Sequence, residues 1–294
     1  MHDNAANQLG QFIPLHYHHH MLGDEARTSA FKAAINHVVP LGGRVLELGS
    51  GTGVLSYFAA QRAERVLAVE YNPQLVTASR RILAQNGFAD KVTVVHADAS
   101  TFTPDEPVDV VVCEMLHSAL LREKQLEIIR GFKQRYQLRF GTLPRFVPEV
   151  TILAAQPLSQ DYLYQGYAAP LPLFQDAASL HARSSECSAP QSYACIDYQT
   201  AFSERFEESL HFKIEKASEI NAVRFITKNF LAIFPPEQPS IDWHNQHLVL
   251  PLQQSIWVES GNSIEVRFVY DAGGSIEMLG ESLSCVAHQI TMCL

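Results

Sequence analysis

The sequence is short of positive charge: 22 lysines and arginines stand against 31 aspartates and glutamates, a formal net charge of −9. Such a balance opposes non-specific binding to DNA or RNA and mildly favours cationic partners. Cysteine is sparse as well. Cys113, Cys187, Cys195, Cys285 and Cys293 are odd in number, scattered and nowhere in CxxC spacing, which argues against a disulfide framework and a structural zinc site and leaves free thiols. No apolar run reaches the roughly 18 residues that a spanning helix needs. The opening MHDNAANQLG lacks the basic and apolar regions of a signal peptide, so the expectation is a soluble, cytoplasmic protein with no membrane partner. Internal repeats and low-complexity tracts are also missing.

What is present describes an ordinary globular chain. At 294 residues, 47% hydrophobic and 18% charged, it can bury a large core, divided more naturally between two modest domains than held in one. Four histidines crowd into HYHHH, His16 to His20; they read either as a surface metal site or as incidental residues leading into a helix. From Leu22, the positions Ala26, Ala30, Phe31, Ala34, Ile35 and Val38 recur three and four apart, which predicts one amphipathic helix ended by Pro40 and Gly42-Gly43. RVLELG, RVLAVE, KVTVVHAD and VDVVVCE read as strands separated by helical segments. That alternation predicts a parallel sheet covered on both faces, residues 1–145. Beyond Arg145 the runs EVTILAAQ, ESLHFKIEK, EINAVRFITKNFLAIF, HLVLPLQQ, NSIEVRFVYDAGGSIEMLG and LSCVAHQITMCL read as strands joined by turns, a mainly antiparallel second domain over residues 146–294. Leu171 to Cys195 is the least regular part, a long loop or small helical excursion.

The turn ELGSGTG stands where a strand hands over to a helix, and Gly49, Gly51 and Gly53 there allow tight turning and close backbone approach by a ligand. A dinucleotide fingerprint would need a third glycine at position 54, which is Val54, and no GK[ST] follows. A GxGxG turn after the acidic Glu47 is what S-adenosylmethionine enzymes of the Rossmann-like class use. Glu70 closes the second strand, where a carboxylate can accept from both ribose hydroxyls. Asp98, with Ala99 beside it in HADA, can take the adenine amino group. No NPPY-like tetrapeptide follows the fourth strand, against a nucleic-acid methyltransferase.

After that strand, CEMLHSALLRE carries Glu114 and Glu123 nine positions apart in a largely apolar stretch. Two carboxylates facing one pocket repel and lose solvation, which raises a pKa unless a cation neutralises them. A guanidinium is such a cation, planar and matched to bidentate pairing.

Several stretches in order resemble the protein arginine N-methyltransferases: HHHMLGDEARTSAFKAAI, VLELGSGTGVLSYFAA, CEMLHSALLRE, VPEVTILAAQ and IDWHNQ. The resemblance implies a Rossmann-like class I methyltransferase domain followed by a β-barrel, with S-adenosylmethionine as cofactor and no metal. It implies that Arg27 pairs with the cofactor's carboxylate, that His18 and Met21 lie over the cofactor and target nitrogen, and that Glu47 binds near the methionine portion. Glu114 and Glu123 would hold a guanidinium of a protein, a peptide or a small molecule. It implies further that an arm inserted in the barrel, about residues 165–195, docks on a second subunit through Leu171, Leu173 and Phe174 to make a homodimer.

The departures fall on the acceptor side. Phe12 stands where the family has a tyrosine. Met115, Leu116, His117 and Ser118 replace the usual residues after the first glutamate, Gln125 replaces a methionine, and Asp242 precedes Trp243 where a histidine is usual. His117, Gln125, Asp242 and Trp243 are therefore the expected substrate-binding positions of a rebuilt pocket, and another small-molecule nitrogen, oxygen or carbon acceptor, or a non-catalytic scaffold that binds S-adenosylmethionine, stays open.

Overall fold

The computed structural model describes residue 13 and residues 15–179, 181–235 and 238–288. Phe12 and Cys293, named above, lie outside the described residues. The first half opens with two helices rather than the single one expected from Leu22: α1 (Leu15–Gly23) and α2 (Glu25–Val38). Asp24 separates them because its carboxylate accepts from the backbone N–H of Arg27 at 2.9 Å, capping α2. Then follow β1 (Arg44–Leu48), α3 (Val54–Ala60), β2 (Arg65–Glu70), α4 (Pro73–Gln85), β3 (Val92–His96), β4 (Val110–Cys113), α5 (Gln125–Phe140) and β5 (Arg145–Val147).

The five strands form one parallel sheet in the order β3-β2-β1-β4-β5. The strand order reverses between β1 and β4, and Leu48 pairs with Cys113 at their carboxyl ends. The glycine turn after β1 and the glutamate loop after β4 therefore emerge side by side, at the place where open parallel sheets bind ligands. The boundary expected at residue 145 falls inside β5, so the parallel sheet runs on to Val147.

The second half is two antiparallel sheets. One contains β6 (Val150–Gln160), β9 (Leu173–Gln175), β10 (Ser184–Glu186), β11 (Gln191–Asp197), β13 (Ser218–Ala232), β14 (Ile241–His244) and β15 (His247–Val258); the other contains β12 (Arg205–Lys213), β16 (Ser263–Asp271) and β17 (Ser284–His288). A small hairpin, β7 (Leu163–Tyr164) with β8 (Tyr167–Ala168), stands apart. The expected barrel is not closed by hydrogen bonds: β11 borders β12 and β15 borders β17, but no ladder joins the two sheets among the described residues.

Two further expectations change. Leu171 to Cys195 is loop interrupted by strands rather than by a helical excursion, because β9 pairs with β15 while β10 and β11 pair with β6; short strands at a sheet edge lack the long alternation that marks a strand in sequence. SIEMLG is not strand but helix α6 (Ile276–Ser282), started by Ser275, whose hydroxyl accepts from the Met278 N–H at 3.2 Å.

Candidate active site at the carboxyl edge of the parallel sheet

Gly49, Gly51 and Gly53 have φ values of 75°, 54° and 83°, a region that L side chains rarely occupy. Side chains already take up the room they leave. A Cβ on Gly51 would lie 3.0 Å from the His18 ring, one on Gly49 3.0 Å from the Met115 sulfur, and one on Gly53 3.1 Å from Leu83. His18 is thus packed on the turn from α1, buried, with its Nε2 unpartnered among the described residues. Burial, and then the charge of Arg27, hold its pKa below the ordinary value.

Glu70 is buried at the end of β2, and each of its oxygens accepts one backbone N–H, from Gly51 and from Asn72, both at 2.8 Å. One oxygen anchors the glycine turn, and each keeps a lone pair for a further donor. Asp98 accepts from the Ser100 N–H at 2.8 Å beside the buried Ala99. This donor and acceptor set, with the orphaned His18 nitrogen, could hold an adenosine-bearing ligand.

Arg27 connects the first helices to the glutamate loop. Its guanidinium pairs with Glu114, donates to the Met21 carbonyl at 3.2 Å and lies over the Phe31 ring at 5.7 Å. Trp243 of β14 meets the same ring edge-on at 6.0 Å. Glu47, fully enclosed in β1, accepts from the Ser56 hydroxyl, yet burial pushes its carboxyl up to about 8. Burial, and then the charge of Glu114, push Glu123 up to about 8 as well. Among the described residues no side-chain hydrogen bond reaches the Glu123 carboxylate. Arg27, Glu47, Glu114 and Glu123 are therefore one electrostatic group, in which Arg27 is paired with Glu114 while Arg27 and Arg122 offset the Glu123 charge without a hydrogen bond to it.

The expected acceptor-side residues divide. His117 sits in the loop with its ring edge-on to Phe174 at 5.6 Å, and burial lowers its pKa. Gln125 is fully buried, donating to the Cys113 carbonyl at 2.8 Å and accepting from the Met115 N–H at 2.9 Å, so it braces the loop. Asp242 faces Lys228 at 3.1 Å.

Residues not read as functional hold the loop from outside. The Ala119 N–H donates to Thr227 at 2.7 Å, the Ser118 hydroxyl to the Gln246 carbonyl, and the Asn245 amide to the Leu116 carbonyl at 2.9 Å. On the other side, the Gly273 N–H donates to the Leu120 carbonyl and the Arg122 N–H to the Gly274 carbonyl, both at 2.8 Å. Between these clamps Ala119, Leu120 and Arg122 have φ of 56°, 55° and 62°. The polar run HNQ after Trp243 was the one signal in sequence. Among the described residues, no group of three or more histidines, cysteines or acids could hold a metal ion, and no helix is long and apolar enough to cross a membrane.

Residues 45–135 match the family model described as a methyltransferase domain. An uncharacterised protein of Methanothermobacter thermautotrophicus is 28% identical over 91% of this chain and 97% of its own length. The arginine N(omega)-methyltransferase of Streptomyces achromogenes subsp. streptozoticus is 34% identical over 40% of this chain, which spans only 34% of that relative. Among solved structures, the Trypanosoma brucei PRMT1 enzyme-prozyme heterotetrameric complex with AdoHcy superposes with a TM-score of 0.70 over 86% of each chain at 18% identity, a likeness of fold. The chain is a methyltransferase, similar in fold to a protein arginine methyltransferase and in part of its sequence to an arginine methyltransferase.

Proposed function

We propose that this protein acts in the cytoplasm and transfers a methyl group from S-adenosylmethionine to a guanidino nitrogen of arginine, free or in a peptide or protein. S-adenosylmethionine supplies an electrophilic methyl on its sulfonium; Arg27 would hold its carboxylate, Glu70 its ribose hydroxyls and Asp98 its adenine. The observation that carries the acceptor is Glu123: a carboxyl pushed up to about 8 by burial and the nearby Glu114 charge, and without a side-chain hydrogen-bond donor among the described residues. A guanidinium answers that arrangement, since its planar N–H groups can pair with both carboxylates. Held between them, its charge is kept toward the carboxylates, and the nitrogen that faces the methyl keeps more of its lone pair. The Glu123 oxygen can take up the proton that the methylated nitrogen releases.

Two departures that pointed to a different acceptor are accounted for by packing. Ser118 and Gln125 are buried and bonded to backbone carbonyls, so they shape the loop rather than face a substrate. The acidic net charge agrees with a cationic partner. A homodimer is part of the reading, with the exposed Leu171 and Phe174 and the half-buried Leu173 as its contact, joined by the exposed Tyr167. Mass spectrometry after incubation with labelled S-adenosylmethionine and free arginine, arginine peptides or a cell lysate tests the acceptor: label on a guanidino nitrogen supports the reading, and label on another acceptor class overturns it.

A further inference from the structure

Five buried polar side chains form a chain of contacts between the two halves of the molecule. Tyr198, Thr151 and Asn229 are fully buried, as is Gln125, and Asn245 is 6% exposed. Thr151 and Asn229 stand directly opposite each other on β6 and β13. The Thr151 hydroxyl donates to Asn229 Oδ1 at 2.8 Å, Asn229 Nδ2 donates to Asn245 Oδ1 at 2.9 Å, and Asn245 Nδ2 donates to the Leu116 carbonyl at 2.9 Å. Because Thr151 has a single proton, the Tyr198 hydroxyl, 2.9 Å away, must be the donor in their contact. Tyr198 in turn lies against the Gln125 side chain. Every proton thus points one way, and both Asn amides have a fixed orientation.

The two ends of this chain close on the same short stretch. Gln125 grips Cys113 and Met115, and Asn245 grips Leu116. Glu114 lies between the gripped positions. A buried polar network of this size could be replaced by apolar side chains at little cost in stability, whereas a half-satisfied one is expensive. What the network provides is a defined position for a loop that carries Ala119, Leu120 and Arg122 in left-handed conformations, each disfavoured for an L side chain without outside contacts. We infer that Thr151, Asn229 and Asn245 are positioning residues that set the place of Glu114 for acceptor binding, although none of them touches the acceptor. The inference rests on the clamp reading above.

The test uses Thr151→Val, which keeps shape and removes the proton donor, with Thr151→Ser as the rescuing variant and Asn245→Asp at the far end. Binding of methylguanidine is measured by calorimetry with S-adenosylhomocysteine saturating, and amide exchange is followed at residues 113–117. Expected for Thr151→Val is methylguanidine binding weaker by about tenfold or more, faster exchange at Met115, and cofactor affinity within twofold of the native protein. Thr151→Ser returns near-native values, and Asn245→Asp repeats the loss, which also covers a Thr151→Val protein that fails to fold. Native methylguanidine binding and exchange in Thr151→Val or Asn245→Asp, while Glu114→Gln abolishes binding, overturns the positioning role alone. Native binding in Glu114→Gln overturns the clamp, and the inference with it.

Discussion

Arg27 and Glu114 form an ion pair across 87 positions of sequence, with side chains 9% and 11% exposed. The pair joins the helix that would meet the cofactor to the loop that would meet the acceptor. Removing one member of a buried pair leaves the other uncompensated, at about 3–5 kcal/mol in comparable cases. Arg27→Met is therefore expected to lower the melting temperature clearly, and to weaken S-adenosylhomocysteine binding in calorimetry. A variant that melts and binds like the native protein would remove Arg27 from the site.

Glu114→Gln and Glu123→Gln keep shape and remove one charge each. For a cation clamp, turnover should fall by roughly 10²-fold or more in both variants. Solvated carboxylates at a strand end and a helix start would instead give native turnover, with stability within about 0.5 kcal/mol. Steady-state rates with the acceptor identified by mass spectrometry separate the two outcomes.

The two elevated carboxyls give a sign to the pH dependence. Glu47 and Glu123 stand at about 8 in the folded protein against an ordinary 4.5. Between those values the folded state holds more protons than the unfolded one, so their contribution to stability falls as pH rises through that window. Melting temperatures scanned from pH 5 to pH 9 should decline less steeply in Glu47→Gln and in Glu123→Gln than in the native protein. Acceptor turnover should move the opposite way, rising toward pH 8 as Glu123 ionises, and Glu123→Gln should lose that limb.

Gly51 combines φ of 54° with a Cβ position 3.0 Å from the His18 ring. Gly51→Ala meets both obstacles, the backbone alone costing about 1–2 kcal/mol. Thermal melts should show that loss, and cofactor affinity should drop with it because the Gly51 N–H is also bonded to Glu70. An alanine variant with native melting and affinity would mean that the turn is not held as described.

Tyr167 and Leu171 are 73% and 64% exposed, beside strands paired into their own sheet. If they are the contact of a homodimer, Tyr167→Asp with Leu171→Asp should halve the mass found by light scattering at micromolar concentration. A native protein that is already monomeric there would exclude the homodimer.

The parallel half was legible because its signals are local. Apolar runs, the glycine turn and the acids Glu47, Glu70 and Glu114 lie at or beside strand ends, where spacing along the chain fixes their place. The break at Asp24, the helix α6 and the strands β9 to β11 were not read. Caps act within one turn, edge strands of three residues such as β9 and β10 leave no alternation to count, and the seven residues of β11 do not alternate between buried and exposed.

By itself the sequence determined that strands and helices alternate, that a ligand-sized turn follows β1, and that two carboxylates follow β4. Only the tertiary structure decided what surrounds them: His18 on Gly51, Arg27 on Glu114, Gln125 under Cys113 and Asn245 on Leu116. The physical reason is range. Apolar periodicity records which face of an element is buried, whereas a hydrogen bond between Asn245 and Leu116 spans 129 positions and leaves no period in the chain. Its partners are chosen when the two halves pack and each buried donor must find an acceptor.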